Sequence, residues 1–158
     1  MTRSASRAAP TARTLMRRWR VTLAPEMSVS AAAGLMAAAG ADAAPVVDPG
    51  GRCVGLFTAA DYRRWLAGDA PVIDVFSEGQ MVAASDRVAD HMTRLFAAAG
   101  PEADVTELLR RLSAAADPLL VVLDRLSRPQ GFVCALDALA ARAAPGPAAG
   151  GDAANLER

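Results

Sequence analysis

The strongest constraint on the fold is an internal repeat. When the 158-residue chain is shifted by 76 residues, positions 12–66 align with positions 88–142 without a gap, and 13 of the 55 pairs are identical. Alanine matches arise by chance in a chain with 38 alanines, but matches at Pro25, Glu26, Gly55 and Asp61 in one register do not. The chain therefore predicts two copies of a unit of about 50 residues, which are expected to bury their faces against each other.

The sequence of the first copy contains a start signal and a stop signal for a helix. Apolar residues at helical spacing follow a capping serine, Ser28, and the pattern stops at Gly40. The other elements predicted for this copy are a strand at Arg20–Leu23, strands at Ala44–Asp48 and Cys53–Phe57 joined by a turn, and a helix from Thr58 to about Leu66.

The second copy predicts the same order. A helical stripe runs from Val105 to Leu112, and Asp104 with Glu107 resembles a capping box at its start. The remaining predicted elements are strands at Leu119–Leu123 and Gly131–Cys134, a helix at Leu136–Arg142, and leading helices at Thr11–Arg18 and Arg87–Arg94 before the two copies. The predicted fold class is α+β, with the order β-α-β-β-α twice.

Charge and composition exclude several classes of function. The 17 arginines balance 17 acidic residues, so no net field attracts nucleic acid or an anionic membrane. Two cysteines and one histidine provide neither a disulfide framework nor a metal-site signature, and no enzyme motif is present. The chain has no run of about 18 apolar residues, so no membrane span is predicted. We therefore expect a non-catalytic, cytoplasmic protein without metal.

The first 25 residues contain six arginines and no acidic residue. Arg17-Arg18 lacks the apolar stretch of roughly 7–15 residues that an export signal needs. A transit peptide is compatible with this composition, and a short helix is the simpler alternative.

Several motifs resemble the CBS domain, named after cystathionine beta-synthase, in the tandem pair called a Bateman module. In the first copy they are Val21-Thr22-Leu23-Ala24-Pro25, Ala44-Pro45-Val46-Val47-Asp48 and Gly55-Leu56-Phe57-Thr58-Ala59-Ala60-Asp61; before the second copy stands Asp90-His91-Met92-Thr93. The resemblance spans about residues 12–142. It implies two β-α-β-β-α CBS units packed sheet to sheet with pseudo-two-fold symmetry and with up to two clefts between them.

The resemblance implies a nucleotide site in the first cleft, at Thr22, Ala44, Pro45, Thr58 and Asp61. A helix start attracts phosphate, the Thr58 hydroxyl can donate to a ligand oxygen, and the Asp61 carboxylate can accept from both ribose hydroxyls. The alternative is that Thr58 and Asp61 form an ordinary helix cap.

The second cleft is predicted to be weaker. Its matching residues are Leu120, Cys134 and Asp137, and a thiol stands where the first copy has a hydroxyl. Because a thiol is only a weak donor and Ala98 replaces Thr22, we expect about one nucleotide per chain.

The predicted function is regulatory: an adenine nucleotide, AMP, ADP or ATP, binds in the first cleft and a homodimer or a partner protein responds. No other cofactor is predicted, and the regulated protein is unknown. The alternative hypothesis is a ligand-free module for dimerisation or protein–protein contact. The predicted organisation is a disordered N-terminus at 1–10, a first CBS unit at 11–67, a linker at 68–86, a second CBS unit at 87–142 and a disordered tail at 143–158.

Overall fold

The structure is a computed structural model and describes residues 8–68 and 85–144. The predicted disordered ends at 1–10 and 143–158 and the predicted linker at 68–86 therefore lie almost entirely outside the described residues.

The first copy contains three helices and one hairpin. Ser28 accepts a hydrogen bond from the Ala31 amide at 3.1 Å, and Gly40 ends the following helix in the left-handed conformation, with φ of 63°. These are the start and stop signals that the sequence indicates. The elements are α1 (Ala12–Leu15), α2 (Val29–Ala39), β1 (Ala43–Val47), β2 (Cys53–Thr58) and α3 (Ala59–Leu66).

The second copy repeats this order with one additional strand. Its elements are α4 (Val88–His91), β3 (Ala97–Ala99), α5 (Val105–Ser113), β4 (Leu119–Leu123), β5 (Pro129–Cys134) and α6 (Ala135–Ala143). Strands β1 and β2 form an antiparallel pair, whereas β3, β4 and β5 form a three-stranded sheet in that order, with β3 parallel to β4. The α+β class and the repeated order are confirmed.

Three local predictions are wrong in detail. The strand predicted at Arg20–Leu23 reduces to one bridge, in which Leu23 pairs with Val46. Both leading helices are shorter than predicted, because Met16 and Met92 have extended backbones that turn the chain alongside a strand. The capping box at Asp104 is only half formed.

The formed half of the Asp104 capping box is the hydrogen bond from the Glu107 amide to the Asp104 carboxylate, at 2.8 Å. The Glu107 carboxylate binds Arg110 and Arg111 instead of returning to the backbone of Asp104.

The leading segments cross between the copies. The amides of Ala12 and Arg13 donate to backbone carbonyls of the second copy. The Arg17 amide donates to the Phe132 carbonyl at 2.8 Å, and the Phe132 amide donates to the Arg17 carbonyl at 2.9 Å. In the opposite direction, Thr93 and Leu56 form the repeat-equivalent reciprocal pair at 2.8 and 2.9 Å. The two copies are therefore joined by a pseudo-two-fold exchange of their leaders.

The crossing also determines the hydrophobic cores. Ala12, from the first leader, is fully buried in the cluster that contains Leu108 and Leu120 of the second copy. Val88, the residue 76 positions later, is fully buried in the cluster that contains Phe57 of the first copy. Each core is thus completed by a residue from the other copy's leader.

The sheets bury their second faces too. Side chains alternate between the faces of a strand, and Leu56 and Val121 are fully buried although they belong to neither helix-side cluster. The Cys53 amide donates to the Ser127 carbonyl at 2.8 Å, which joins the hairpin ends of the two copies. This arrangement agrees with the expected sheet-to-sheet packing.

Candidate functional site

Thr58 and Asp61 form a complete capping box at the start of α3. The Thr58 hydroxyl accepts from the Asp61 amide at 3.2 Å, and the Asp61 carboxylate accepts from the Thr58 amide at 2.8 Å. Asp61 is only 1% exposed and Thr58 only 8%. The structural alternative weighed from sequence, a helix cap, is therefore formed in this structure.

Two further groups contact the Asp61 carboxylate. The Thr93 hydroxyl, from the crossed second leader, donates at 3.1 Å, and the Arg64 guanidinium pairs with the carboxylate from the next turn of α3. With the amide and hydroxyl of Thr58, four donor groups surround this one carboxylate. Its acceptor positions are thus occupied by protein groups.

The other residues predicted for the first cleft have three different environments. Thr22 is exposed beside the bridge at Leu23. Ala44 is fully buried in β1. Pro45 is buried, and its carbonyl accepts from the Leu23 amide at 3.0 Å.

The second copy arranges its motif differently. Cys134 stands at the N-cap of α6 with an extended backbone but forms no side-chain cap hydrogen bond. Burial raises the pKa of the Cys134 thiol, which keeps it protonated at neutral pH. Leu120 is fully buried in the core of the second copy. Of the three residues predicted for this cleft, Cys134 lines a cavity, whereas Asp137 does not line it but binds Arg17, which does.

Asp137 is held by the crossed first leader. Arg17 donates to both carboxylate oxygens, from Nε at 2.8 Å and from Nη2 at 2.9 Å. The hydrogen bond to Asp137 raises the pKa of Arg17. Position 17 is the repeat equivalent of position 93, so in each copy the motif aspartate binds the same position of the other copy's leader.

A cavity of about 630 Å³ lies between the copies at this point. The first leader, the loop before β1 and the second hairpin form its walls. Its lining residues are Arg17, Arg18, Trp19, Arg20, Gly40, Ala41, Asp42, Ala43, Pro118, Leu119, Phe132, Cys134, Ala135 and Leu136. The volume is within the range of about 300–1,000 Å³ that is usual for small-molecule sites.

Trp19 forms an aromatic wall of this cavity. Its ring packs on Phe132 with centroids 4.5 Å apart and a tilt of 39° between the ring planes. The indole Nε1 is buried and has no hydrogen-bond partner within residues 8–68 and 85–144. A buried donor of this kind costs free energy until an acceptor reaches it.

The charges around the cavity favour an anion. Arg17, Arg18 and Arg20 line it, and Asp42 is the acidic lining residue. Arg17 is neutralised by Asp137, whereas Arg18 has no ion pair among the residues that the structure describes. An aromatic wall and unpaired guanidinium charge fit a planar ligand with an anionic group.

The local sequence around Trp19 does not indicate that its side chain lines a cavity. The available signal was a departure from the repeat, because Leu95 stands at the equivalent position of the second leader. Leu95 is 94% exposed, whereas Trp19 is half-buried. At this position the first leader contributes a side chain to the cavity wall, whereas the second leader leaves its side chain exposed.

The described part of the chain contains neither a disulfide nor a metal-binding cluster. Cys53 and Cys134 are both free thiols, and burial raises the pKa of Cys53. Residues 8–68 and 85–144 contain no group of three His, Cys, Asp or Glu side chains that could hold a metal ion. Within the same residues, no helix has the length and apolar character needed to cross a membrane.

The fold and the crossed leaders define a pair of α+β repeats with an inter-copy cleft. Residues 12–68, which contain the first copy, match the family model of the CBS domain. The sequence matches no curated protein.

Solved structures extend this likeness over both copies. The CBS-domain pair of protein MJ0100, in complex with 5′-methylthioadenosine and S-adenosyl-L-methionine, is 20% identical, with a TM-score of 0.66 and coverage of 82% of this chain and 93% of that one. The protein CBSX2, in complex with AMP, is 19% identical, with a TM-score of 0.65 and coverage of 84% and 95%. The CBS domains of a transcriptional regulator from Streptococcus pneumoniae are 18% identical, with a TM-score of 0.62 and coverage of 84% and 99%. The first copy thus matches the CBS-domain model, and the whole described chain shares the fold of solved CBS-domain pairs.

Proposed function

We propose that this CBS-domain pair is a regulatory module without catalytic activity that senses an adenine nucleotide. The observation that carries the proposal is the inter-copy cavity with its Trp19 and Phe132 wall and its arginines. A purine ring stacks on aromatic side chains, and a phosphate pairs with guanidinium groups. Because the cavity lies between the copies, a bound ligand would change their relative packing, and a partner protein or a second copy would respond.

Solved relatives support the adenine assignment. Two proteins with the same fold bind adenosine compounds: one AMP, the other 5′-methylthioadenosine and S-adenosyl-L-methionine. The anionic preference of the cavity favours a phosphorylated compound among these, namely AMP, ADP or ATP.

The position of the nucleotide is a separate question. The sequence predicts the first cleft, at Thr22, Ala44, Pro45, Thr58 and Asp61. Binding of ribose at Asp61 requires a ligand to displace one or more of four donor groups. The cavity beside Cys134 needs no such displacement, so we favour it as the principal site.

Tryptophan fluorescence tests both the function and the position. The chain has two tryptophans, and Trp65 stacks on Tyr62 within α3, outside the residues that line the cavity. The variant Trp65→Phe therefore leaves Trp19 as the only tryptophan. Titration with AMP, ADP and ATP should quench its emission in a saturable way, because a purine that enters the cavity meets the indole.

Two arginine variants control this titration. Arg18→Gln removes a charge from the cavity wall, and Arg63→Gln removes an exposed charge from α3 of the first copy. We expect Arg18→Gln to weaken binding about tenfold and Arg63→Gln to leave it unchanged. The opposite pattern would place the nucleotide in the first cleft, and no saturable change with any of the three nucleotides would refute the proposed function.

A second candidate function is assembly without a ligand. Leu136 and Leu139 of α6 are 79% and 51% exposed, and Leu139 lines an apolar groove with Leu109 and Leu112 of α5. Burial of such side chains against a second copy would stabilise a homodimer. This surface would also serve the regulatory function, since a dimer is one of the responses that a ligand can alter.

Sedimentation distinguishes these alternatives. Leu139→Glu, which lies outside the residues that line the nucleotide cavity, should convert a dimer to a monomer if α6 forms the interface. Leu126→Glu changes an equally apolar residue, 62% exposed at the turn between β4 and β5, and should leave the assembly unchanged. A wild-type dimer that binds none of the nucleotides would favour the assembly function alone.

A further inference from the structure

We propose that Arg17 is a specificity-determining residue of the inter-copy cavity, because it withdraws Asp137 from ligand recognition. This inference rests on the proposed function and concerns how the cavity selects its ligand. With Asp137 withdrawn, the cavity selects the anionic group of a nucleotide and not its ribose hydroxyls.

The geometry of the ion pair supports this role. Arg17 contacts both Asp137 oxygens at 2.8 and 2.9 Å in a two-pronged arrangement, which is the strongest form of a guanidinium–carboxylate contact. A ribose diol needs the same two oxygens as acceptors. Because hydroxyls are neutral donors, they compete poorly with a guanidinium already in place.

The backbone holds Arg17 at this position. Its amide and carbonyl bond reciprocally with Phe132 at 2.8 and 2.9 Å. Gly131 allows this close approach, since a Cβ atom at that position would lie 2.5 Å from the Arg17 carbonyl oxygen. The guanidinium is thus delivered to Asp137 by a fixed segment of the crossed leader.

The remaining charges then determine the chemistry of the cavity. With Arg17 and Asp137 neutralising each other, Arg18 and Arg20 outnumber Asp42 among the lining charges. The cavity therefore offers the guanidinium groups of Arg18 and Arg20 to an anion, while Arg17 occupies the carboxylate of Asp137.

The test compares AMP with 2′,3′-dideoxy-AMP by isothermal titration on the full chain. Wild-type protein should bind the two within about twofold of each other. Arg17→Gln frees Asp137 and should create a preference for AMP of about tenfold, since the carboxylate can then accept from the ribose hydroxyls. The double variant Arg17→Gln, Asp137→Asn should lose that preference.

Asp137→Asn alone gives a result of opposite sign under the two explanations. If Arg17 withdraws Asp137, this variant releases a guanidinium and should bind AMP several-fold more tightly than wild type. If Asp137 contacts ribose, the same variant should bind AMP more weakly. The ion pair is solvent-accessible, with side chains 61% and 28% exposed, so these variants should fold, and circular dichroism melting verifies this.

Arg64→Gln is the control, because Arg64 also pairs with a motif aspartate, Asp61, but from within α3 and outside the residues that line the cavity. It should leave the ratio of the two affinities unchanged. A wild-type preference for AMP of tenfold, or a ratio that responds to Arg64→Gln and not to Arg17→Gln, overturns the role of Arg17 while the proposed function stands. Binding of neither compound by wild type and by Arg17→Gln overturns both.

Discussion

The two motif aspartates occupy equivalent positions in the repeat but have different surroundings. Asp61 is buried and bound by groups of its own helix start, by Arg64 and by Thr93. Asp137 is partly exposed and bound by Arg17 alone among the side chains that the structure describes. The residue three positions earlier accounts for part of the difference, because the Thr58 hydroxyl completes a capping box and the Cys134 thiol does not.

This comparison shows how one duplicated motif acquires two roles. In the first copy, the aspartate stabilises the start of α3 and the contact with the crossed leader. In the second copy, the aspartate is the counter-ion of an arginine at the edge of a cavity. Each role makes a different prediction about stability, and the following variants test them from the largest expected effect to the smallest.

Replacement of the two aspartates should separate the copies most clearly. Asp61→Ala leaves the buried donors of Thr58 and the half-buried hydroxyl of Thr93 without their acceptor, so it should lower the free energy of unfolding by about 2–4 kcal/mol. Asp137→Ala breaks one exposed ion pair and should cost about 1 kcal/mol or less. Urea denaturation measures both, and equal losses would contradict the comparison.

The two motif glycines give the next effect. Gly131→Ala places a Cβ atom 2.5 Å from the backbone oxygen of Arg17, which cannot move without breaking the leader's bonds to β5. Gly55→Ala meets the flexible thioether of Met92 instead. We expect Gly131→Ala to cost about 2–3 kcal/mol and Gly55→Ala about 1 kcal/mol.

A rescue experiment sharpens this pair. Met92→Ala should restore stability to Gly55→Ala, because it removes the side chain that the new methyl group meets. Met16→Ala should not restore Gly131→Ala, since the nearest obstacle there is main chain. Thermal melting of the four proteins tests this, and rescue by Met16→Ala would refute the assignment of the clash.

Replacement of the two cap residues should change stability less, with a loss in the first copy and a gain in the second. Thr58→Ala removes a formed cap and should cost about 1–2 kcal/mol. Cys134→Ser adds a hydroxyl at an N-cap whose extended backbone already suits it, and should gain about 0.5 kcal/mol. Chemical denaturation measures both changes; a loss on Cys134→Ser would show that the thiol packs in a way that a hydroxyl cannot replace.

Most of the fold follows from local signals in the sequence. Ser28 and Gly40 define α2, and the turns after Asp48 and Asp124 separate apolar strands, so these elements agree with prediction to within about two residues. The crossing of the leaders is not local. The 76-residue repeat predicts a leading helix for each copy but not which core Ala12 or Val88 enters.

The candidate site is predictable only in part for the same reason. Thr58 and Asp61 are adjacent on a helix start, so their capping box follows from spacing, whereas the contact of Asp61 with Thr93 spans 32 residues and that of Arg17 with Asp137 spans 120. The cavity depends on the crossing, since Trp19 reaches Phe132 only because the first leader runs beside β5. The residues next to Trp19 in the sequence cannot predict a cavity whose walls come from three separate segments of the chain.

The smallest expected effect concerns the pH dependence of the second copy's first long helix. Arg110 and Arg111 lower the pKa of Glu107 from 4.5 to about 2 in the folded protein. Because the folded-state pKa lies below the unfolded value, the stabilisation is complete above about pH 5 and disappears as the pH falls toward 2. The repeat-equivalent position in the first copy is Ala31, so α2 has no counterpart of this group.

Glu107→Gln isolates this contribution from other groups that titrate in the same range, among them Asp90. The difference in the free energy of unfolding between wild type and Glu107→Gln should be constant from pH 7 to about pH 5 and should shrink between pH 5 and 2. Because the ion pairs of Glu107 with Arg110 and Arg111 are exposed, about 1 M salt should reduce the difference in the free energy of unfolding at pH 7. Arg110→Gln with Arg111→Gln should abolish the pH dependence that Glu107 confers, whereas a difference that grows as the pH falls would contradict the ion pairs as its cause.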